Sequence, residues 1–529
     1  MLNTPRSRRA MVTSPHHLAS QAGLDVLKDG GNAVEAAVAV AATLAVVYPH
    51  MTGIGGDGFW LIAEPGRDPV AVDGCGAAAG AADLAFYRGH GHAAVPWRGP
   101  HAANTVAGTI SGWEAALDHA RGWGNPLGLD RLLRDPIHHA EAGMVVTVSQ
   151  AELTAAKLAE LRDVPGFGAT FLDGGRPPRA GDILRQPALA ATLRRLAAGG
   201  LDDFYRGDLA RSIAADLARA GSPVAADDLA RHRAAVRAPL SVGLKGSRLY
   251  NFPPPTQGLA SLIILALFER LGVTAAEGFD HVHGLVEATK QAFLVRDAHV
   301  GDPGHMTVAP ESFLTDAALD AMAARIDRGR ALPWPAPPAG GDTVWLGVID
   351  AAGRAVSLIQ SVYFEFGSGL VLPDSGITWQ NRGASFRLAD AGANRLRPGA
   401  KPFHTLNPAM ARFADGRTMV YGTMGGEGQP QTQAALFSRY ALFGQELQAA
   451  ITAPRWLLGR TWGEDSVTLK LEDRFDPALV DSLRAAGHAV EMLAPFTSTM
   501  GHAGAIVRRA DGMLEGATDP RSDGAVAAW

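Results

Sequence analysis

The sequence predicts an α+β fold of mixed layers, and three observations carry that expectation. Residues from about 110 to 330 are mostly Ala, Leu, Arg and Asp at helical spacing, whereas short alternating strands separated by Asp/Gly turns run from residue 343 onward. The two regimes meet at a Pro/Ala/Gly linker, residues 331–341, the one biased stretch of the chain. A chain of 529 residues with 47% apolar and 19% charged residues can bury a large core and has globular composition.

Taken in order, a helix is expected over 19–28, ended by the Gly-Gly-Asn stop at 30–32, and a small-residue helix over 33–47. The apolar run 36–48 is too short to span a bilayer and fits a buried helix. A glycine-rich turn, Gly53-Ile-Gly-Gly-Asp-Gly58, leads into an apolar strand at 59–63. That turn superficially suggests a dinucleotide loop, yet its strand follows the glycines where such a loop needs it before them. Helices are expected at 187–198, 259–271 and 279–300, with a helical excursion over 206–234 and a rigid turn, Phe252-Pro-Pro-Pro-Thr-Gln-Gly258, before the second of them. Strands follow at 344–350, 355–361, 410–413 and 418–421, and a helix at 432–442.

Charge and cysteine content narrow the function classes. Lys plus Arg number 48 against 53 Asp plus Glu, a net −5, so no footprint for nucleic acid or acidic membrane is visible and small substrates fit better. With Cys75 alone, no intramolecular disulfide can form, and the N-terminal residues lack an apolar signal core. The expected compartment is cytoplasmic. His16 and His17 are adjacent and His281 and His283 two apart, but neither HExxH nor a Cys/His quartet occurs, so no metal and no cofactor are expected. The absence of Gly-x-Ser-x-Gly leaves a serine hydrolase of the α/β type without support.

Two segments could carry chemistry. Thr343 stands where the Pro-rich approach ends at Asp342 and an apolar strand begins. Scission between them would make Thr343 an N-terminal residue whose α-amine, with a reference pKa of about 7.7–8.0, can accept the proton of its own hydroxyl. The plain alternative is a hairpin after a loop. Gly422-Thr-Met-Gly-Gly-Glu-Gly428 follows a strand and precedes a helix, and its adjacent glycines could aim two backbone N–H groups at one oxyanion or could simply connect the two elements. His404, beside Thr405 in a proline-bounded loop, could serve a site or a turn.

Taken together, Ala19-Ser-Gln-Ala-Gly-Leu-Asp-Val-Leu-Lys-Asp-Gly-Gly-Asn-Ala-Val34, Pro49-His-Met-Thr-Gly-Ile-Gly-Gly56, Pro253-Pro-Pro-Thr-Gln-Gly258, Asp342-Thr343, Phe366-Gly-Ser-Gly369, Gln380-Asn-Arg382 and Gly425-Gly426 resemble the γ-glutamyltranspeptidase family of N-terminal nucleophile hydrolases. The resemblance covers nearly the whole chain. It implies a four-layer αββα sandwich made as one precursor and cut between Asp342 and Thr343. The products would be a large chain, 1–342, and a small chain, 343–529, that stay together as one intertwined domain and an α/β heterodimer, with a dimer of such heterodimers left open. Catalytic roles fall by resemblance on Thr343 as nucleophile, on the Gly425 and Gly426 amides as oxyanion donors, and on Ser361 as a supporting hydroxyl.

Departures from the family pattern point to the substrate. Cys75 stands where γ-glutamyl-binding relatives hold the α-carboxylate with arginine, Tyr363 and Ser385 stand where they hold the α-amino group with asparagine and aspartate, and His404 and Thr405 replace paired serines. Losing a charge-assisted bond to the amine should cost about 1.5–3 kcal/mol, which disfavours glutathione. Arg382, Tyr363, Ser385, His404 and Thr405 then make a substrate site suited to a small anion without an amino group. The resemblance is nearest to the oxamate amidohydrolase branch, in which Arg382 would clamp the carboxylate beside the scissile amide. A γ-glutamyl hydrolase or transpeptidase, a glutaryl or cephalosporin acylase, and, in a different class, an uncleaved binding scaffold are the alternatives.

Overall fold

The computed structural model describes residues 3–334, 342–459 and 466–529. Residues 335–341 of the linker therefore lie outside the described residues. Among the described residues, two seven-stranded sheets, antiparallel throughout, form the centre of the molecule. One runs in the order Ala525–Ala528, Met11–Ser14, Asp342–Ile349, Ala355–Tyr363, Asp57–Ala63, Val70–Gly74, Ala235–Arg237. The other runs Arg6–Ser7, Leu514–Thr518, Ala503–Arg508, Thr418–Thr423, Ala409–Phe413, Ser247–Asn251, Leu240–Leu244. Each sheet mixes strands from before and after Thr343.

Strand alternation assigns the layers. Along Asp342–Ile349, Val344, Leu346 and Val348 pack with the helices His17–Lys28 and Ala33–Val47, while Trp345 and Ile349 enter a cluster between the sheets. Met410 and Val420 meet that central cluster from the other sheet, and Ala409, Ala411, Met419 and Tyr421 face the helices Gly258–Leu271 and Phe279–His299. The order helix, sheet, sheet, helix is a four-layer αββα sandwich. Trp345 fills the space between the sheets because Gly422 and Gly504 leave room for it: a Cβ on either would sit 2.2 Å or 2.4 Å from its ring. Its indole Nε1 donates to Ser357 Oγ at 2.9 Å, so the ring two residues from Thr343 is fixed at both ends.

The outer helix Ala33–Val47 is buried along all fifteen residues, as expected of a helix apolar on every side. It starts where a capping box forms: Asn32 Oδ1 accepts from the Val34 and Glu35 N–H groups and Glu35 Oε2 accepts from the Asn32 N–H at 2.8 Å. Helices also cover 187–199, 258–271 and 279–299, close to expectation. The helix expected at 432–442 begins earlier, at Gly428, because Pro430 lies in a first turn whose N–H groups need no intrahelical acceptor, and it ends in a π turn, Ser438–Leu442. Strands at 240–244, 247–251, 503–508, 514–518 and 525–528 are additional to the sequence expectation. Leu514–Thr518 and most of Ala503–Arg508 are buried on both faces and so lack the alternation that marks a half-exposed strand. No helix among the described residues is long and apolar enough to cross a membrane.

Candidate active site

Thr343 is fully buried at the start of its strand, and the pairing opposite it is irregular. Asp342 faces Tyr363 and Val344 faces Gln360, so Ser361 and Val362 together oppose the single residue Thr343. This β-bulge bends the end of Ala355–Tyr363 and turns Tyr363 to a φ of 86°, a left-handed conformation that a bulky residue rarely adopts. The Tyr363 N–H closes the bend by donating to Ser361 Oγ at 2.7 Å. From the helix that follows the strand Thr418–Thr423 of the second sheet, Gln429 Nε2 donates to Thr343 Oγ1 at 3.4 Å.

Gln429 follows the glycine loop at the entry to the helix Gly428–Phe437. Gly425 and Gly426 have φ of 115° and 52°, which L side chains rarely tolerate, and neither backbone N–H finds an acceptor among the described residues. The loop is held from behind. Arg296 Nη1 donates to Gln257 Oε1 at 3.0 Å, which leaves Gln257 Nε2 to donate to the Gly426 and Thr405 carbonyls, each at 2.7 Å. Arg296 Nη2 reaches Glu427 at 3.1 Å.

Thr405 carries the network to Arg382. Arg382 Nη1 donates to Thr405 Oγ1 at 3.1 Å, and its guanidinium carbon lies 3.3 Å from the centre of the Tyr363 ring. The side chain is wholly buried, and its Nε and Nη2 have no hydrogen-bond partner among the described residues. Burial lowers its pKa, while Tyr363, Cys75 and Asp57 oppose that shift. The contacts thus close a ring: Thr343 to Gln429, the glycine loop to Gln257, Thr405 to Arg382, and Tyr363 back across the sheet to Asp342.

Beneath the ring, His404 Nε2 lies 3.1 Å from Asp57 Oδ2, and Asp57 Oδ1 accepts from Gly76 N, Gly108 N and Gln380 Nε2. Burial pushes the Asp57 carboxyl up to about 7 against these bonds and the field of Arg382. Burial, with Arg382 and Lys401, holds the His404 imidazole well below its usual range. Cys75 is buried beside them, its thiol pushed up by desolvation, and its N–H donates to Asp73 Oδ1 at 3.1 Å.

Of the residues singled out in the sequence, Thr343, Gly425, Gly426, Arg382, Tyr363 and Thr405 belong to the ring, Ser361 lies opposite Thr343, and His404 lies beneath. Ser385 is turned away from a free role, since its Oγ donates to the Phe403 carbonyl at 3.0 Å. Asp57, Gln257, Arg296, Gln380 and Gln429 are additional. Asp57, Gln257 and Gln429 each stand beside a glycine at the start of a strand or helix, where a polar side chain among small residues is the available signal. Two groups have metal-ligand composition, Asp57 with Cys75 and His404, and His283 with Glu287 and His488. In the first, Gly76, Gly108 and Gln380 already donate to Asp57 Oδ1 and His404 faces Oδ2. In the second, His283 is bonded to His488 and to the Asp327 carbonyl, and Glu287 to Lys290 and the Leu332 N–H.

Residues 19–529 match the family model described as Gamma-glutamyltranspeptidase. The chain is 56% identical over 524 residues to an oxamate amidohydrolase proenzyme of Klebsiella pneumoniae, covering 99% of each. It is 41% identical to a glutathione hydrolase-like proenzyme of Bacillus subtilis, over 98% of each chain. Its fold superposes on a cephalosporin acylase from Bacillus halodurans with a TM-score of 0.91 at 34% identity, covering 100% of this chain and 97% of that one. The chain belongs to the γ-glutamyltranspeptidase family of autoprocessed amide hydrolases.

Proposed function

We propose that the protein hydrolyses oxamate to oxalate and ammonia through Thr343, freed as an N-terminal residue by scission after Asp342. The observation that carries this is Arg382: a buried cation with two unpartnered N–H groups, on the same ring of contacts as Thr343. A carboxylate is the complement of such a fork. The 56% identity to an oxamate amidohydrolase proenzyme supports the same substrate.

In processing, Thr343 Oγ attacks the Asp342 carbonyl, and water opens the resulting ester to give two associated chains. In turnover, Arg382 Nε and Nη2 hold the oxamate carboxylate. The Thr343 α-amine takes the hydroxyl proton as Oγ attacks the neighbouring amide carbonyl. The Gly425 and Gly426 N–H groups receive the oxyanion, donors worth about 3–4 kcal/mol each in such a step. The amine returns the proton to the departing nitrogen, ammonia leaves, and water cleaves the oxalyl ester. The single buried cysteine agrees with action in the cytoplasm.

Ammonia release from oxamate, glutathione and a glutaryl amide ranks the substrates, and a preference for glutathione overturns this assignment. Intact mass separates the enzyme from a binding scaffold, for which one lasting species of 55.3 kDa is expected.

A further inference from the structure

A second cationic site adjoins the ring of contacts. The loop after Arg382 folds back on itself, with Arg387 and Arg395 paired as an isolated parallel bridge. Asn394 anchors it, donating from Nδ2 to the Ser385 carbonyl at 2.6 Å and accepting the Phe403 N–H at 2.8 Å. Ser385, Phe403, Arg296, Asp297, Arg387 and Arg395 line a cavity of about 270 Å³ under this loop. Arg296 is neutralised there by Asp297 at 2.7 Å and by Glu427. Arg387 and Arg395 have no carboxylate partner among the described residues: the Arg395 side chain bonds only the Asp390 carbonyl, and its buried Nε has no acceptor. Arg387 is exposed and Arg395 half-buried, and two like charges side by side on one cavity wall attract an anion between them.

The cavity lies close to Arg382. Arg382–Ser385 is a single 3₁₀ turn, so at about 2 Å per residue Ser385 is roughly 6 Å along the chain from Arg382. Both side chains bond the same segment, Arg382 at Thr405 and Ser385 at Phe403. An amide with a carboxylate on each side of the scissile bond spans such a gap. The volume falls below the roughly 300–1,000 Å³ of drug-sized sites, which suits a small dicarboxylate.

We propose that Arg387 and Arg395 form a subsite for a carboxylate on the leaving amine, so that the enzyme also takes N-carboxyalkyl oxamates, the oxalyl amides of small amino acids. This deepens and rests on the proposed oxamate hydrolysis. With N-oxalylglycine, Thr343 Oγ forms the oxalyl ester as the C–N bond breaks, the hydroxyl proton passes to the departing nitrogen, and glycine leaves. Water then splits the ester to oxalate and restores the hydroxyl.

Turnover of oxamate and N-oxalylglycine is compared in the processed wild-type protein and in Arg387→Gln and Arg395→Gln. The ratio of kcat/KM for N-oxalylglycine over that for oxamate is expected to fall at least tenfold in each variant, chiefly through KM. Cleavage of oxamate without cleavage of N-oxalylglycine, or an unchanged ratio, overturns the subsite and leaves the proposed oxamate hydrolysis standing. Where neither amide is cut, that hydrolysis fails by itself, and calorimetric titration with glutarate, which has the same carboxylate spacing and no amide, decides the subsite. At least tenfold weaker glutarate binding in the variants supports it; equal affinity overturns it.

Discussion

Asp57 Oδ2 and His404 Nε2 meet at 3.1 Å with both side chains buried, and the partner of the other ring nitrogen fixes the proton between them. The Leu406 N–H donates to His404 Nδ1 at 3.4 Å, so Nδ1 is an acceptor and Nε2 carries the hydrogen that faces the carboxylate. The imidazole stays neutral because burial and the neighbouring Arg382 and Lys401 charges oppose a further proton. Asp57 is then the group that titrates, and its charge balances the buried Arg382.

This gives a pH dependence of stability with a definite sign. The Asp57 carboxyl is raised from 3.8 to about 7 in the folded protein, so over that window the folded state holds a proton that the unfolded chain has released. The contribution is fully present below pH ~4 and is lost as pH rises through ~7, at up to about 1.4 kcal/mol per pH unit. Melting temperatures of wild type and Asp57→Asn, measured from pH ~5 to ~8, should show the wild type losing ground to the variant. A constant offset would mean that Asp57 does not titrate there.

Thr343→Ala is expected to remain one chain and to lose turnover by a factor on the order of 10⁴ or more, since a nucleophile and its base disappear together. Thr343→Ser keeps a hydroxyl at the bulge and should retain both scission and part of the rate. Intact mass, N-terminal sequencing of the smaller fragment and ammonia release read these outcomes. A fragment beginning at any residue but threonine in the wild type would move the nucleophile elsewhere.

Gly425→Ala tests the oxyanion loop. A φ of 115° strains any L side chain, and although a Cβ there would meet the Gly501 Cα at an ordinary contact distance of 3.4 Å, relieving the backbone strain shifts the loop. Misaiming one N–H should lower kcat by roughly 10²–10³ with little change in KM. Steady-state kinetics on oxamate separates the two constants, and a pure KM effect would argue against an oxyanion role.

Much of this arrangement was legible in the chain because it depends on local backbone demands. A Pro-rich approach ending at an apolar strand singles out Thr343, and adjacent glycines between strand and helix single out Gly425 and Gly426, but each pattern alone fits a plain hairpin or connection, and the resemblance of the ordered motifs chose between them. The supporting contacts were not legible for the opposite reason: each joins residues far apart in sequence. Gln257 reaches Gly426 across 169 positions and Asp57 reaches His404 across 347, and no local pattern encodes either distance. The bulge is hidden too, since Ser361 and Val362 read as ordinary strand residues until Thr343 is placed opposite both. The final strands, Ala503–Arg508 and Leu514–Thr518, escape because sheet and neighbouring layers bury them on both faces.

Arg382→Lys should raise KM for oxamate about 10- to 150-fold, the equivalent of about 1.5–3 kcal/mol, because an ammonium cannot present the paired N–H groups of the guanidinium or lie flat on the Tyr363 ring. Inhibition by oxalate offers a second measurement, and its constant should weaken in parallel. An unaffected KM would place the carboxylate elsewhere.

Tyr363→Asn combined with Ser385→Asp is expected to exchange one substrate class for another. Asparagine tolerates the left-handed φ of 86° at position 363 better than tyrosine does, so the backbone bend should survive. The new carboxylate at 385 would face the amine of an amino-bearing substrate, where Ser385 now spends its hydroxyl on the Phe403 carbonyl. A charge-assisted bond of about 1.5–3 kcal/mol corresponds to roughly 10- to 150-fold tighter binding of glutathione-type substrates. Removing the ring beneath Arg382 acts in the other direction on oxamate. The KM values should therefore cross, falling for the amino-bearing substrate and rising for oxamate. If both rise together, the double substitution has only loosened the pocket, and positions 363 and 385 do not set its preference.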